Sequence, residues 1–317
     1  MPILEGVRAA LAWIGRQGTR ALAVSIFLGV AVPPLADYVK PHLSETVFVL
    51  LLFSYLRTDP AAFRRYLRAP ALAIAAALWI MVALPLLIGS AYAATGLRDS
   101  WPELFTILIL HIAISPITSA AAFTALIGLD VAFALLTLIL ANAVTPVTTV
   151  GISYLFLGTA MISPIELGLK LAFFFIASGT AAWVIRRVAG QPWIEKQKEP
   201  LDGLNVIAVF IFAIAAMGSV VPQFMADPWF ALALTAYAFV LTAVLIGLTL
   251  LVFWRAGIEL GLVVGFLAGC RNLGLVMAAI GTALPPVAWF YFAVVQFPIY
   301  IFPALLRPLA RRMAKNR

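Results

Sequence analysis

Gly269-Cys270-Arg271-Asn272-Leu273-Gly274 interrupts the apolar run from Gly261 to Gly281, placing an arginine near the middle of what would otherwise be an ordinary membrane-spanning helix. A guanidinium at bilayer mid-depth costs at least about 2.5–3.5 kcal/mol on insertion scales. Arg271 must therefore face a partner, a cavity or a bound anion, or donate to backbone carbonyls freed where a neighbouring helix breaks. The first reading makes it a functional residue and the second a structural one. Gly261, Gly265 and Gly269 recur at every fourth position, which aligns them on one helix face and lets another backbone approach closely. Small residues ahead of a polar break predict a helix that packs tightly, unwinds briefly and resumes.

The rest of the composition agrees with a membrane setting. Of the 317 residues, 64% are hydrophobic and 11% charged, with a mean hydropathy of +1.08, values that exclude an ordinary soluble fold. The net charge of +8 could suggest nucleic acid in a soluble chain. Here the basic residues gather at helix ends, where membrane anchoring explains them, and no nucleic-acid partner is expected. The single cysteine, Cys270, rules out an intrachain disulfide and a multi-cysteine metal cluster. Leu4, Val7, Leu11 and Ile14 stand at helical spacing near the N-terminus, predicting an interfacial amphipathic helix over 1–19.

A span needs about 20 apolar residues. On that measure the sequence predicts an all-α membrane protein of ten spans, near 20–36, 43–57, 70–94, 102–127, 130–158, 163–187, 201–222, 228–254, 257–283 and 286–309. Lysine and arginine then set the orientation. Arg8, Arg16, Arg20, Arg57, Arg64, Arg65, Arg68, Arg186, Arg187, Lys196, Lys198, Arg255, Arg307, Arg311, Arg312, Lys315 and Arg317 fall on one side, against Lys40, Arg98 and Lys170 on the other. Both termini are expected in the cytoplasm, and the polar stretch from Gly190 to Leu204 reads as a cytoplasmic linker. Five spans at 20–158 and five at 159–317 would be oppositely oriented, as two inverted repeats require.

The fourth span of each half carries a break. The first contains His111 and then Ser115-Pro116-Ile117-Thr118-Ser119, where proline removes a backbone donor and frees carbonyls. The second is Gly269 to Asn272. Discontinuous helices in corresponding positions of two halves point to a transporter binding site, because half-helix ends present N–H groups to anions and carbonyls to cations. Asn142, Thr145, Thr148 and Thr149 of the fifth span need polar partners at hydrocarbon depth and are expected to find them at the crossing. Each could equally form an interhelical hydrogen bond of about 1 kcal/mol or less. His111 reads either as a satisfied interior histidine or as a proton carrier. Asp130 and Glu259 lie near span ends, where helix termini account for them. The candidate binding residues are Arg271, Asn272, Ser115, Thr118, Ser119, Asn142 and His111.

Phe53-Ser54-Tyr55-Leu56-Arg57 with the basic turn through Pro70, Ser115-Pro116, Asp130-Val131-Ala132 leading to Thr145-Pro146, and Gly269 to Gly274 together give a pattern that resembles the bile acid:sodium symporter superfamily, in a bacterial form. The likeness covers most of the chain beyond the N-terminal helix. It implies a ten-helix inverted-repeat fold in the plasma membrane, with a core of spans 3–5 and 8–10 in which broken spans four and nine cross. Spans 1, 2, 6 and 7 would form a panel, with substrate carried between the two by alternating access.

Sodium-coupled members of that family are expected to hold an acidic residue, a glutamine and an asparagine near the crossing. This sequence has Leu267 in place of the acid, Arg271 in place of the glutamine, and Ala121 or Ala122 in place of the asparagine. Two like charges 4 Å apart cost roughly 4 kcal/mol at an effective dielectric of about 20, which disfavours a sodium ion beside Arg271. The expectation is a secondary transporter of a small or amphipathic organic anion, without a cofactor and embedded in the lipid bilayer, with Arg271 in the place of a coupling ion. A sensor or scaffold on a transporter fold, or a passive channel, is the alternative. A membrane-embedded enzyme would need paired aspartates, a His/Glu metal motif or a Gly-x-Ser-x-Gly turn, and an ATPase a phosphate-binding loop; none is present in the sequence. No residue pattern specifies an oligomeric state.

Overall fold

Hydrocarbon offers no water to backbone N–H and C=O groups, so an apolar chain satisfies them within helices. The computed structural model describes residues 2–17, 24, 27–57, 70–159 and 163–315, and these are helical almost throughout. Among the described residues the only β feature is an isolated antiparallel bridge between Pro116 and Arg271. Two of the N-terminal helices are α1 (Pro2–Arg16) and α2 (Leu43–Arg57). Among the described residues six helices are long and apolar enough to cross a membrane: α3 (Ala71–Ala94), α6 (Val131–Leu157), α7 (Pro164–Ala189), α8 (Lys198–Ala226), α9 (Pro228–Ala256) and α12 (Pro286–Arg312). The chain is thus an all-helical, multi-pass membrane protein.

Where the fourth and ninth spans were expected, the helices are shorter and come in pairs. α4 (Pro102–Ala113) is followed by α5 (Ala120–Ile127), and α10 (Ile258–Gly269) by α11 (Leu273–Ile280). Part of the expected first span and the basic residues Arg20, Arg64, Arg65, Arg68 and Arg317 lie outside the described residues. The stretch from Gly190 to Leu204 is not the irregular linker its polarity suggests. It forms a short helix, Gln191–Lys196, and then enters α8 at Lys198. Pro192 and Pro200 both stand in a first helical turn, where the missing N–H has no intrahelical acceptor to leave unpaired.

Backbone contacts divide the chain into two units, each assembled from separate segments. One comprises residues 1–59 and 173–228, the other 60–172 and 229–317. In the first, α1 packs lengthwise on α8 rather than lying alone, with Leu11 and Ile14 half-buried. A Cβ added at Gly203 would collide with the backbone of Leu11, so glycine permits this close approach. Arg186 donates from Nη2 to the carbonyls of Tyr55 at 3.2 Å and Leu56 at 3.1 Å. A cation thus caps the C-terminal carbonyls of α2, where the helix dipole favours it.

The second unit holds a buried core built from Ile80, Met81, Leu84, Phe105, Ile109, Leu245, Val263, Phe266 and their neighbours. Here the glycine row does what its spacing predicts. A Cβ on Gly265 would stand 3.0 Å from the Ile246 carbonyl, and one on Gly269 would stand 2.9 Å from Ile246 Cγ1 and 3.2 Å from the Thr242 carbonyl. α10 therefore rests directly on the backbone of α9. Trp79 Nε1 donates to Thr249 Oγ1 at 2.9 Å, tying α3 to the same helix.

Candidate functional site

The site begins with a missing hydrogen bond. Pro116 has no N–H for the carbonyl of Ile112, so α4 cannot continue and ends at Ala113. In the second break Cys270 leaves helical geometry at φ −104°, ψ 83°. The two irregular segments lie antiparallel and exchange amides: Ile117 N–H donates to the Cys270 carbonyl at 2.9 Å, and Asn272 N–H to the Ser115 carbonyl at 2.8 Å. Within continuous helices those amides would serve the carbonyls four residues earlier. The swap therefore leaves Ala113 and Ala268 as acceptors without their helical donors.

Side chains satisfy both. Thr149 of α6 donates from Oγ1 to the Ala113 carbonyl at 3.0 Å. Arg271 donates from Nε to the Ala268 carbonyl at 2.7 Å. Its remaining nitrogens reach further, Nη1 to the Ile114 carbonyl at 2.9 Å and Nη2 to the Ile80 carbonyl at 3.0 Å. The last acceptor has its own origin. α3 contains a π turn over Trp79–Ala83, in which each carbonyl is served by the amide five residues on. Five residues after Ile80 stands Pro85, which has none to give.

The guanidinium is thus fully buried, at 0% exposure, in a nest of three carbonyls from three elements. Three of its five N–H groups are accounted for, and among the described residues no carboxylate pairs with it. Charge-assisted hydrogen bonds are worth roughly 1.5–3 kcal/mol each, so three of them offset an insertion cost of about 2.5–3.5 kcal/mol. The alternative of an arginine bonded to freed carbonyls describes this geometry directly. Carbonyl dipoles, rather than a carboxylate among the described residues, face its positive charge.

The other candidates distribute around this point. Asn272 is half-buried and acts as N-cap of α11, its Oδ1 accepting from Leu275 N–H at 3.3 Å. Ser115 is fully buried and its Oγ has no partner among the described residues. Asn142 is buried on α6, and its Oδ1 likewise has none. It shares a face of that helix with Thr145 and Thr149, the residue that reaches Ala113. Thr118 is half-buried in the turn before α5, while Ser119 is exposed and its side chain caps nothing. His111 is buried in the last turn of α4, with Nδ1 2.8 Å from the Tyr291 hydroxyl. Asp130 caps α6, accepting from Ala132 and Phe133 at 2.9 and 3.0 Å.

Sequence reasoning brought Arg271, Asn272, Ser115 and Thr149 to one place but missed Ile80 and Tyr291. Pro85, inside an apolar run, was the available signal for the first. The second had none beyond being a tyrosine in a span. Among the described residues no group of histidine, cysteine, aspartate and glutamate side chains is arranged to hold a metal ion. No family model matches this sequence, and no curated protein matches it either.

Proposed function

We propose that the protein is a secondary transporter of a small or amphipathic organic anion, working by alternating access without sodium. The observation that carries this reading is the crossing itself. Two broken helices trade backbone amides and surround a positive charge with carbonyls, an arrangement suited to ions at membrane mid-depth. In this reading Arg271 stands as a permanent cation where a coupling ion would be coordinated, and its uncommitted N–H groups and the Ser115 hydroxyl meet the anion. The finer architecture belongs to the same proposal: ten spans in two inverted repeats, over 20–158 and 159–317, with both termini in the bacterial cytoplasm. The broken pairs at corresponding positions support it, as does the resemblance to the bile acid:sodium symporter superfamily.

The test is uptake by purified protein in proteoliposomes, with labelled taurocholate as an amphipathic anion and labelled pyruvate as a small one. The expected result is saturable uptake of one of them at equal rates in sodium and potassium media. A steep sodium requirement overturns the ion-free mechanism. Arg271→Gln should weaken anion binding beyond what its loss of thermal stability explains. A second reading, a non-transporting sensor or scaffold on the same architecture, draws support from the three carbonyls that already engage the guanidinium. Binding of an anion with no uptake would favour it.

A further inference from the structure

The second unit holds further polar side chains besides Arg271. His111, 1% exposed, stands one helical turn before Ile114, whose carbonyl accepts from Arg271 Nη1. Beyond it the imidazole and the Tyr291 ring meet edge to face, centroids 5.3 Å apart at 73°, with Nδ1 on the hydroxyl. Tyr291 is fully buried, and Tyr92 and Tyr237 pack against the core of the same unit. The hydroxyls of those two are hydrogen-bonded to each other, Tyr237 donating. Both are half-buried, and Tyr92 lies in the last turn of α3, next to the Thr95–Gly96 turn. Two pairs of polar side chains from four different helices, His111 with Tyr291 and Tyr237 with Tyr92, thus stand against the apolar core of this unit. Surrounded by apolar residues, such pairs are expensive to maintain unless they are used.

A charge count suggests the use. With a neutral imidazole the empty crossing carries the single positive charge of Arg271, and a bound monovalent anion cancels it. One proton on His111 restores the original charge, so that loaded and empty crossings face the same electrostatic cost of moving through low dielectric. The anion also makes this proton tolerable, because an imidazolium beside an unscreened guanidinium would be repelled.

We infer that the protein binds one proton together with each organic anion, the proton resting on His111. This rests on the anion-transport reading above. In the tautomer with its hydrogen on Nε2, Nδ1 takes the hydroxyl proton of Tyr291. Tyr291 is reprotonated in turn from water, so the tyrosine ends as it began. The titratable and charged groups on elements packed against α4 are few. Tyr92 belongs to α3, Tyr291 to α12, which also carries Tyr300, Arg307, Arg311 and Arg312 in its later turns, and Cys270 and Arg271 to the break before α11. α11 has none, α6 has only Tyr154, which is 62% exposed, and Arg98, Asp99 and Glu103 lie at the opposite end of α4.

The experiment measures proton uptake by lightly buffered purified protein when taurocholate or isethionate is added near neutral pH. Both are sulfonates and stay ionised, so any proton taken up belongs to the protein. The expected result is about one proton per sulfonate bound, lost in His111→Gln, and arriving more slowly but to the same extent in Tyr291→Phe. Sulfonate binding without proton uptake, or unchanged uptake in His111→Gln, overturns the proton inference and leaves the transporter reading standing. Should His111→Gln not fold, an unchanged uptake rate in Tyr291→Phe overturns it instead. Binding of neither sulfonate by the wild type defeats the anion-transport reading and this inference with it.

Discussion

The two helix breaks meet the same difficulty with different chemistry. In the first, proline ends the helix, the amide of Ile117 turns to Cys270, and a neutral hydroxyl borrowed from α6 serves the Ala113 carbonyl thus left free. In the second, the break supplies its own donor, and a charged side chain collects carbonyls from α10, from the end of α4 and from the π turn of α3. A hydroxyl has one hydrogen to give and can close one gap. A guanidinium has five in a fixed plane, so it can close the defects of several helices at once, provided they converge. The asymmetry means that the second break organises the first. Ile114 and Ile80 depend on Arg271, whereas nothing in the second break depends on Thr149.

The comparison can be broken most severely at the arginine. Arg271→Ala leaves three buried carbonyls without donors at roughly 1–3 kcal/mol each, and the expected outcome is a large fall in melting temperature or loss of monodisperse protein. Added guanidinium ion should partly restore it. Arg271→Lys keeps the charge without the planar fork, and its melting temperature should fall between those of the wild type and the alanine variant. Thr149→Val orphans one carbonyl and should cost about 1–3 kcal/mol in the same measurement. Asn272→Ala removes a helix cap worth about 1 kcal/mol. Ser115→Ala sharpens the contrast from the other side. Because that hydroxyl has no partner among the described residues, its removal should leave stability within about 0.5 kcal/mol while lowering affinity for an organic anion in a binding isotherm.

The first unit offers a further measure of how local the sequence signals were. The spacing of Leu4, Val7, Leu11 and Ile14 indicated an amphipathic helix, and α1 is a helix with Leu11 and Ile14 half-buried. What the apolar stripe packs against was not legible, because an amphipathic face has the same pattern whether it meets lipid or α8. The run from Gly190 to Leu204 misled for a related reason. Polar, proline-containing sequence looks like a linker, but proline in a first turn is compatible with helix, and both prolines stand there.

By itself the sequence determined that this is a helical membrane chain, that two helices break at Pro116 and near Arg271, and that a glycine row lets one of them lie against a neighbouring backbone. These are local properties, set by hydropathy, by missing amides and by side-chain size within a few residues. Only the tertiary structure decided what the arginine does. Its acceptors at Ile114 and Ile80 lie 157 and 191 positions away, and the histidine's partner at Tyr291 lies 180 away. Backbone carbonyls are common to every residue, and a tyrosine in one span looks like a tyrosine in any other. Which donor meets which acceptor depended on helices from both ends of the chain converging on one point.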